Sequence, residues 1–214
     1  ANADYLLIVS AVADPPPRTG FVERALIAAF VGGLTPLVCL TKSDLADPSA
    51  FAAEFRDLDV EVLTTGIDDP LDALSGYITG NVSALVGHSG VGKSTLFNRL
   101  IPDAERATGE VSGVGKGRHT STQSVALQLP QGGWIIDTPG IRSLGLAHVD
   151  PDTVVEVFED LREVIEDCPR GCTHMGPPAD PECALDTLTG PSARRVTAIR
   201  RLLEALRSNN EWEM

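Results

Sequence analysis

An α/β fold followed by a small helical lobe is what this sequence predicts, and three stretches predict it. The first is Val82 to Leu100, VSALVGHSGVGKSTLFNRL, which reads as a strand (Val82 to Val86), a glycine-rich turn, and a helix opening at Lys93 or Ser94. The second is a set of short apolar runs, Tyr5 to Ser10 and Pro36 to Leu40 among them, which suit parallel strands buried on both faces. The third is a cluster of three cysteines and one histidine between Cys168 and Cys183, flanked by segments of helical spacing.

Composition sets the outer bounds. A chain of 214 residues, 43% of them apolar, can build one or two domains around a real core. A formal net charge of −13 argues against a protein coated in nucleic-acid-binding surface, though it leaves room for a local basic patch. Four unevenly spaced cysteines do not make a disulfide scaffold. No apolar run approaches the roughly 20 residues of a membrane helix, and no signal-peptide pattern opens the chain. A reducing cytoplasm and no membrane partner are therefore expected. The chain begins at Ala1 without a methionine and enters a strand almost at once, which suggests a further N-terminal region in the full protein.

The turn Gly87-His88-Ser89-Gly90-Val91-Gly92-Lys93-Ser94, with Thr95 behind it, fits G-x4-G-K-[ST], the phosphate-binding loop (P-loop). Glycines let successive backbone N–H groups curl round a polyphosphate, and the helix N-terminus adds a favourable dipole. Lys93 would neutralise the β- and γ-phosphates, and the Ser94 hydroxyl would ligate Mg²⁺.

Upstream, Asp14 to Gly20 is a proline-rich loop, Val22 to Gly32 a helix stopped by Gly32-Gly33, and Pro36 to Leu40 the next strand, in which Cys39 is a small core residue. That strand ends in Thr41-Lys42-Ser43-Asp44, the [NT]-K-x-D pattern that reads guanine: a carboxylate accepts from the N1–H and the exocyclic amine, a pairing adenine cannot return. Pro48 to Asp57 reads as a short helix, Val60 to Leu63 as a strand, and Leu71 to Ile78 as a helix. Thr64-Thr65-Gly66 occupies the place of a loop whose backbone touches the guanine oxygen, although a plain turn fits equally well.

After the P-loop helix, Ala107 to Gln123 is polar and glycine-rich, and mobility is expected there without ligand. Thr120 or Thr122 is the candidate for reaching Mg²⁺ and the γ-phosphate. Ser124 to Leu129 and Trp134 to Ile136 read as strands joined by a Pro130-Gln-Gly-Gly hairpin. The second strand ends in Asp137-Thr138-Pro139-Gly140, the D-x-x-G signature, with Asp137 holding Mg²⁺ through water and the Gly140 N–H sensing the γ-phosphate.

Ordinary GTPases present the phosphate loop first, then D-x-x-G, then the guanine-reading motif. Here Thr41 to Asp44 comes first, so the same site can form only if the fold is circularly permuted, which closely placed domain termini make tolerable. With TKSDL, GHSGVGKSTLFNRL, GRHTST, DTPGIRSLGL and the Cys/His cluster in this order, the chain resembles the circularly permuted ribosome-small-subunit-dependent GTPases (RsgA, also called YjeQ or EngC) over nearly its whole length. Members of that family carry an N-terminal OB-fold, to which nothing here corresponds. Thr41 replaces the usual Asn, a mild departure expected to weaken loop bracing. Ile141 follows Gly140 where Ras-like enzymes carry a water-orienting glutamine. His119 matches the histidine to which the family's water activation is attributed.

Pro151 to Glu166 reads as one amphipathic helix (Val154, Val157, Phe158, Leu161, Ile165) with Asp150 or Asp152 near its cap. Cys168, Cys172, His174 and Cys183 suit a closed tetrahedral structural zinc site. Their spacing is C-x3-C-x-H-x8-C, against the family's C-x4-C-x-H-x5-C. Pro191 to Leu206 is a final helix in which Arg194, Arg195, Arg200, Arg201 and Arg207 offer either a docking face for rRNA phosphates or a solvated helix packed on the zinc lobe.

The expectation is thus a circularly permuted P-loop GTPase domain (residues 1–147) followed by a small α-helical zinc-binding domain (residues 148–214). The resemblance implies hydrolysis of GTP to GDP with Mg²⁺, coupled to late maturation of the 30S subunit, with one structural Zn²⁺, contact with 16S rRNA, a cytoplasmic setting and a monomeric chain. Two rivals are a GTP-gated ribosome-binding switch with negligible turnover, and an RNA-binding zinc lobe in which the nucleotide only stabilises the fold.

Overall fold

The computed structural model describes residues 3–102, 125–138, 146 and 149–207. Along the chain run β1 (Tyr5–Ala11), α1 (Thr19–Val31), β2 (Thr35–Thr41), α2 (Ser49–Ala53), β3 (Glu61–Thr65), α3 (Asp72–Ile78), β4 (Val82–Gly87), α4 (Lys93–Leu100), β5 (Val125–Gln128) and β6 (Trp134–Asp137). They are followed by α5 (Pro151–Glu156), α6 (Glu159–Arg162) and α7 (Gly190–Arg207). The strands form one sheet in the order β3-β2-β1-β4-β6-β5. All neighbours pair in parallel except β5 with β6, which close the hairpin predicted at Pro130 to Gly133.

The apolar runs are continuous because both sheet faces are covered. Leu6, Ile8, Val38 and Leu40 point to the face that packs α1, whereas Leu7, Val9, Leu37 and Cys39 point to the face that packs α3 and α4. Cys39 is a buried core residue, and burial pushes its thiol up to about 12, out of the reactive range.

Several element boundaries differ from those the sequence predicts. α1 begins at Thr19 and so brings Phe21 into the buried face. The helix expected over Pro48 to Asp57 is short, ending at Ala53, and a 3₁₀ turn at Arg56–Leu58 then buries Leu58 beside Phe51 and Phe55. β3 runs on through Thr65, because Thr64 and Thr65 stay in register with Leu40 and Thr41.

The single helix expected from Pro151 to Glu166 is broken into α5, α6 and a 3₁₀ turn at Val164–Asp167. Phe158 leaves the helical region at φ −93° and ψ 108°, and its ring packs edge-on to Phe30 of α1 at 5.4 Å. The Arg162 guanidinium donates to the Glu156 carbonyl from both Nε and Nη2 (3.0 and 2.9 Å), satisfying a carbonyl that the break would orphan. Apolar periodicity records which residues are buried but not such an interruption.

The buried cluster on the α1 face is continuous with the C-terminal lobe: Leu26 and Ile27 of α1, Val154 of α5, Phe158, and Ile199 and Leu202 of α7 belong to one core. The arginines of α7 serve this docking. Arg195 stacks over Phe158, pairs with Asp59 and Asp160, and donates to the Asp57 carbonyl. Arg201 donates to the Glu54 carbonyl, and Arg200 pairs with Asp186 at 2.8 Å. Arg194 lies 3.4 Å from Asp57 Oδ1, so four of the five cations offered as a phosphate-docking face have partners within the protein itself. The boundary expected between residues 147 and 148 falls outside the described residues. No helix among the described residues is long and apolar enough to cross a membrane.

Candidate nucleotide site and metal centre

Three of the predicted motifs meet at one edge of the sheet. Register aligns Ala11, Thr41 and Thr65 across β1, β2 and β3, Val9 with Gly87 across β1 and β4, and Leu85 with Asp137 across β4 and β6. β1 leads to β2 on one side and β4 leads towards β6 on the other, so the crevice between β1 and β4 is a topological switch point. Ligands of open α/β sheets bind at such a point, beyond the carboxyl ends of the strands.

The Gly87 to Ser94 loop leaves β4 there. A Cβ on Gly87 would lie 2.5 Å from the Val9 carbonyl oxygen, so only glycine lets the two strands run this close. Gly92, at φ 94°, makes the left-handed turn that opens α4. Val91 is buried beneath the loop, while Ser89, Gly90, Ser94 and Thr95 are exposed. Lys93 folds back and donates from Nζ to the carbonyls of Gly87 and His88. Burial lowers the Lys93 pKa, and Asp137 opposes the shift; burial raises that of Asp137, and Lys93 opposes it. His88 packs its ring against Phe21 at 4.4 Å, and burial, with Arg18 and Lys93 nearby, holds it towards the neutral form.

Among the described residues, Asp137 Oδ1 is buried without a hydrogen-bond partner. A buried, orphaned carboxylate oxygen at this edge is chemically suited to an Mg²⁺-bound water, and Ser94 supplies a hard hydroxyl oxygen at the start of α4. Next to Asp137, the Thr138 hydroxyl donates to the Leu85 carbonyl at 2.6 Å and ties the end of β6 to β4. No spacing signal distinguishes this threonine from any other residue inside D-x-x-G.

On the other side of the crevice the Thr41 hydroxyl donates to the Val91 carbonyl at 2.5 Å, with the Ser10 carbonyl at 3.3 Å. The residue expected to weaken loop bracing is thus itself a brace on the phosphate loop. Lys42 takes a left-handed φ of 61° and its ammonium donates to the Asp14 carbonyl. Asp44 Oδ1 accepts from the Ile67 N–H at 3.2 Å, which joins the two predicted base-reading loops. Thr64 is exposed on its strand, while Thr65 is buried at its end. Asp69, which sequence reasoning does not single out, accepts from the Gly66 N–H at 2.6 Å.

The second cluster lies in the C-terminal lobe. One ligand atom from each of Cys168, Cys172, His174 and Cys183 falls within 4.8 Å of the others. Backbone N–H groups of His174 and Ala184 point at the sulfurs of Cys172 and Cys168, both at 3.4 Å, as donors that stabilise thiolates. Burial pushes the Cys172 thiol up to about 12, aided by Cys183. His174 is buried, with Nδ1 facing the Cys168 sulfur at 3.6 Å and Nε2 bonded to Asp152 Oδ1 at 2.8 Å. This is the carboxylate–imidazole arrangement that orients metal-bound histidines. Asp150 caps α5 by accepting from the Asp152 N–H, which frees Asp152 for this role. Arg200 donates from Nε to the His174 carbonyl at 2.9 Å. Three thiols and one imidazole with no further protein donor required fit a closed structural Zn²⁺ site.

His119, Thr120, Thr122 and Gly140 lie outside the described residues.

A model of the RsgA GTPase family matches residues 1–147. Proteins named small ribosomal subunit biogenesis GTPase RsgA are similar over most of the chain. That of Nitrosospira multiformis is 37% identical over 218 residues, covering 98% of this chain and 68% of the relative. That of Pseudomonas aeruginosa strain LESB58 is 40% identical over 195 residues, covering 86% and 56%. That of Hahella chejuensis is 34% identical over 226 residues, covering 100% and 64%. The chain thus spans 56% to 68% of the length of these curated relatives. Among solved structures, YjeQ from Thermotoga maritima superposes with a TM-score of 0.69 at 23% identity, covering 98% of this chain and 73% of that one. YloQ, described as a circularly permuted GTPase, gives 0.63 at 23% identity, covering 98% and 71%. Both likenesses concern the fold.

Proposed function

The chain belongs to the RsgA GTPase family, and on that premise we propose that it hydrolyses GTP to GDP and phosphate in the service of late small (30S) subunit maturation. One observation carries the reading. Thr41 to Asp44, Gly87 to Ser94 and Asp137, scattered in the chain, all lie at the carboxyl edge of the parallel strands β2, β4 and β6. Guanine is read by Asp44, with the Lys42 stem beside the base and Thr64-Thr65 backing it. The loop from Gly87 to Thr95 holds the phosphates, and Lys93 neutralises their charge. Ser94 and Asp137 would hold Mg²⁺, whose part is to offset charge on the β- and γ-phosphate oxygens. Thr120 or Thr122 and the Gly140 N–H sense the γ-phosphate, and His119 orients the attacking water.

Cys168, Cys172, His174 and Cys183 hold a structural Zn²⁺. The partners on this reading are the 30S subunit and its 16S rRNA, and the setting is the cytoplasm, with the chain acting as a monomer. Nucleotide state then biases 30S affinity through the segment that joins D-x-x-G to the zinc lobe.

The test is GTP hydrolysis with and without 30S subunits and Mg²⁺. Slow turnover alone, raised strongly by 30S, is the expected result. Absence of both guanine-nucleotide binding and turnover in every condition would overturn the proposal. A second reading, a GTP-gated switch with negligible turnover, is favoured by Ile141, whose side chain can neither orient nor deprotonate water. His119→Ala separates the two, because an enzyme loses hydrolysis with nucleotide affinity kept.

A further inference from the structure

α4 does more than open at the phosphate loop. At its far end Arg99, half-buried, reaches towards the loop after β3. Its Nη1 donates to the Gly66 carbonyl at 3.0 Å and lies 3.5 Å from Thr65 Oγ1, while Nη2 donates to the Asp69 carbonyl. Asp69 then turns its carboxylate back into the same loop, accepting from the Gly66 N–H at 2.6 Å and lying 3.4 Å from Ser43 Oγ. The Ile67 N–H goes to Asp44. The 65–69 loop is therefore tied on one side to the residues proposed to read guanine and on the other to the helix proposed to hold phosphate.

A guanidinium suits this task because its donors are fixed in a planar fork that can serve two carbonyls at once. A lysine ammonium at the same position can reach one of them. The arrangement also spans chain distance: more than thirty residues separate Arg99 from Thr65, so it adds a tie to the phosphate-binding helix that the pairing of β3 and the Asp69 turn do not supply.

We propose that Arg99 is a positioning residue for base selection: it sets the loop at Thr65 to Asp69 at a fixed distance from the phosphate-binding helix, so that guanine and polyphosphate are met together. This rests on the guanine-nucleotide reading given above. Without the clamp the phosphates are still held, but the base meets a loop that keeps its tie to Asp44 and loses its tie to the phosphate-binding helix. The consequence falls on discrimination between bases more than on binding of a diphosphate as such.

The experiment measures dissociation constants of the whole chain for GDP and ADP, in the unaltered protein and in Arg99→Ala and Arg99→Lys, with thermal melting alongside. Arg99→Ala is expected to weaken GDP at least tenfold and leave ADP within about twofold, with the lysine variant between. A GDP/ADP ratio unchanged in folded Arg99→Ala would overturn the inference while leaving guanine recognition intact. Should that variant not fold, an unchanged ratio in Arg99→Lys does the same. An unaltered protein that does not prefer GDP to ADP overturns the guanine reading itself, and the inference with it. Equal losses for GDP and ADP would make Arg99 merely structural and would also overturn it.

Discussion

The hydroxyl of Thr41 donates to the carbonyl of Val91 at 2.5 Å, bonding the last residue of β2 to the middle of the phosphate loop fifty positions later. The buried threonine thereby fixes the spacing between the guanine-reading and phosphate-reading parts of the crevice. Thr41→Val keeps the shape and removes the donor, leaving the Val91 carbonyl unpaired. A loss of about 1 kcal/mol is expected, or about fivefold in GDP affinity. Titration with a fluorescent GDP analogue checks it, and an unchanged dissociation constant would show the bond to be idle.

The base assignment makes its own prediction. Asp44→Asn exchanges an acceptor for an amide that can donate, which complements the extra carbonyl of xanthine in place of the guanine amine. The variant should lose GTP by at least tenfold and gain xanthosine triphosphate. Competition between the two nucleotides reads the shift; retained GTP preference would remove Asp44 from the base site.

Asp152 supplies the outer contact of the candidate metal centre through its 2.8 Å bond to His174 Nε2. Outer-shell carboxylates typically contribute tenfold or more to metal affinity. Asp152→Ala should therefore weaken Zn²⁺ about tenfold while Asp150 continues to cap α5. A chromogenic chelator competition gives the number. Equal retention by the variant and the unaltered protein would count against the role.

Glu23, on α1 beneath α7, has its carboxyl pushed up from 4.5 to about 7, chiefly by burial. Arg201 acts in the opposite direction, and Glu54 and Glu204 reinforce the rise. The folded state thus keeps the proton longer than the unfolded chain does. This group's stabilisation is complete below about pH 4.5 and is lost as the pH rises towards and through about 7. Glu23→Gln should flatten that part of the profile and raise the melting temperature at pH 8 by several degrees. Melting curves at pH 5, 6, 7 and 8 decide it, and parallel profiles for the two proteins would discount Glu23.

Much of this architecture was legible because its signals are local. Continuous apolar runs announced β1 and β2, since a strand covered on both faces has no polar side to show. The phosphate loop was legible because a tight anion-binding turn demands glycine at set positions. The break at Phe158 was not, because the ring it packs against, Phe30, lies on a helix more than a hundred residues earlier. Nor were Arg99, Asp69 and Asp152, whose roles depend on which loop or histidine the fold brings beside them. The arginines of α7 were visible as a charge pattern, but a pattern does not reveal that Arg195 and Arg201 are engaged by the segment between α2 and β3.

The match to the family model stops at residue 147, whereas the oily seam beneath α1 does not. Leu26, Ile27 and Ala29 are covered in part by side chains from beyond that point, among them Val154, Phe158 and Leu202. A gene shortened to the matched stretch would lay this seam open to water and to other unfolded chains. The C-terminal third is therefore not cargo that could be swapped between relatives like a tag. For anyone grafting or trimming this chain, and for whatever history assembled it, the two parts have to travel together.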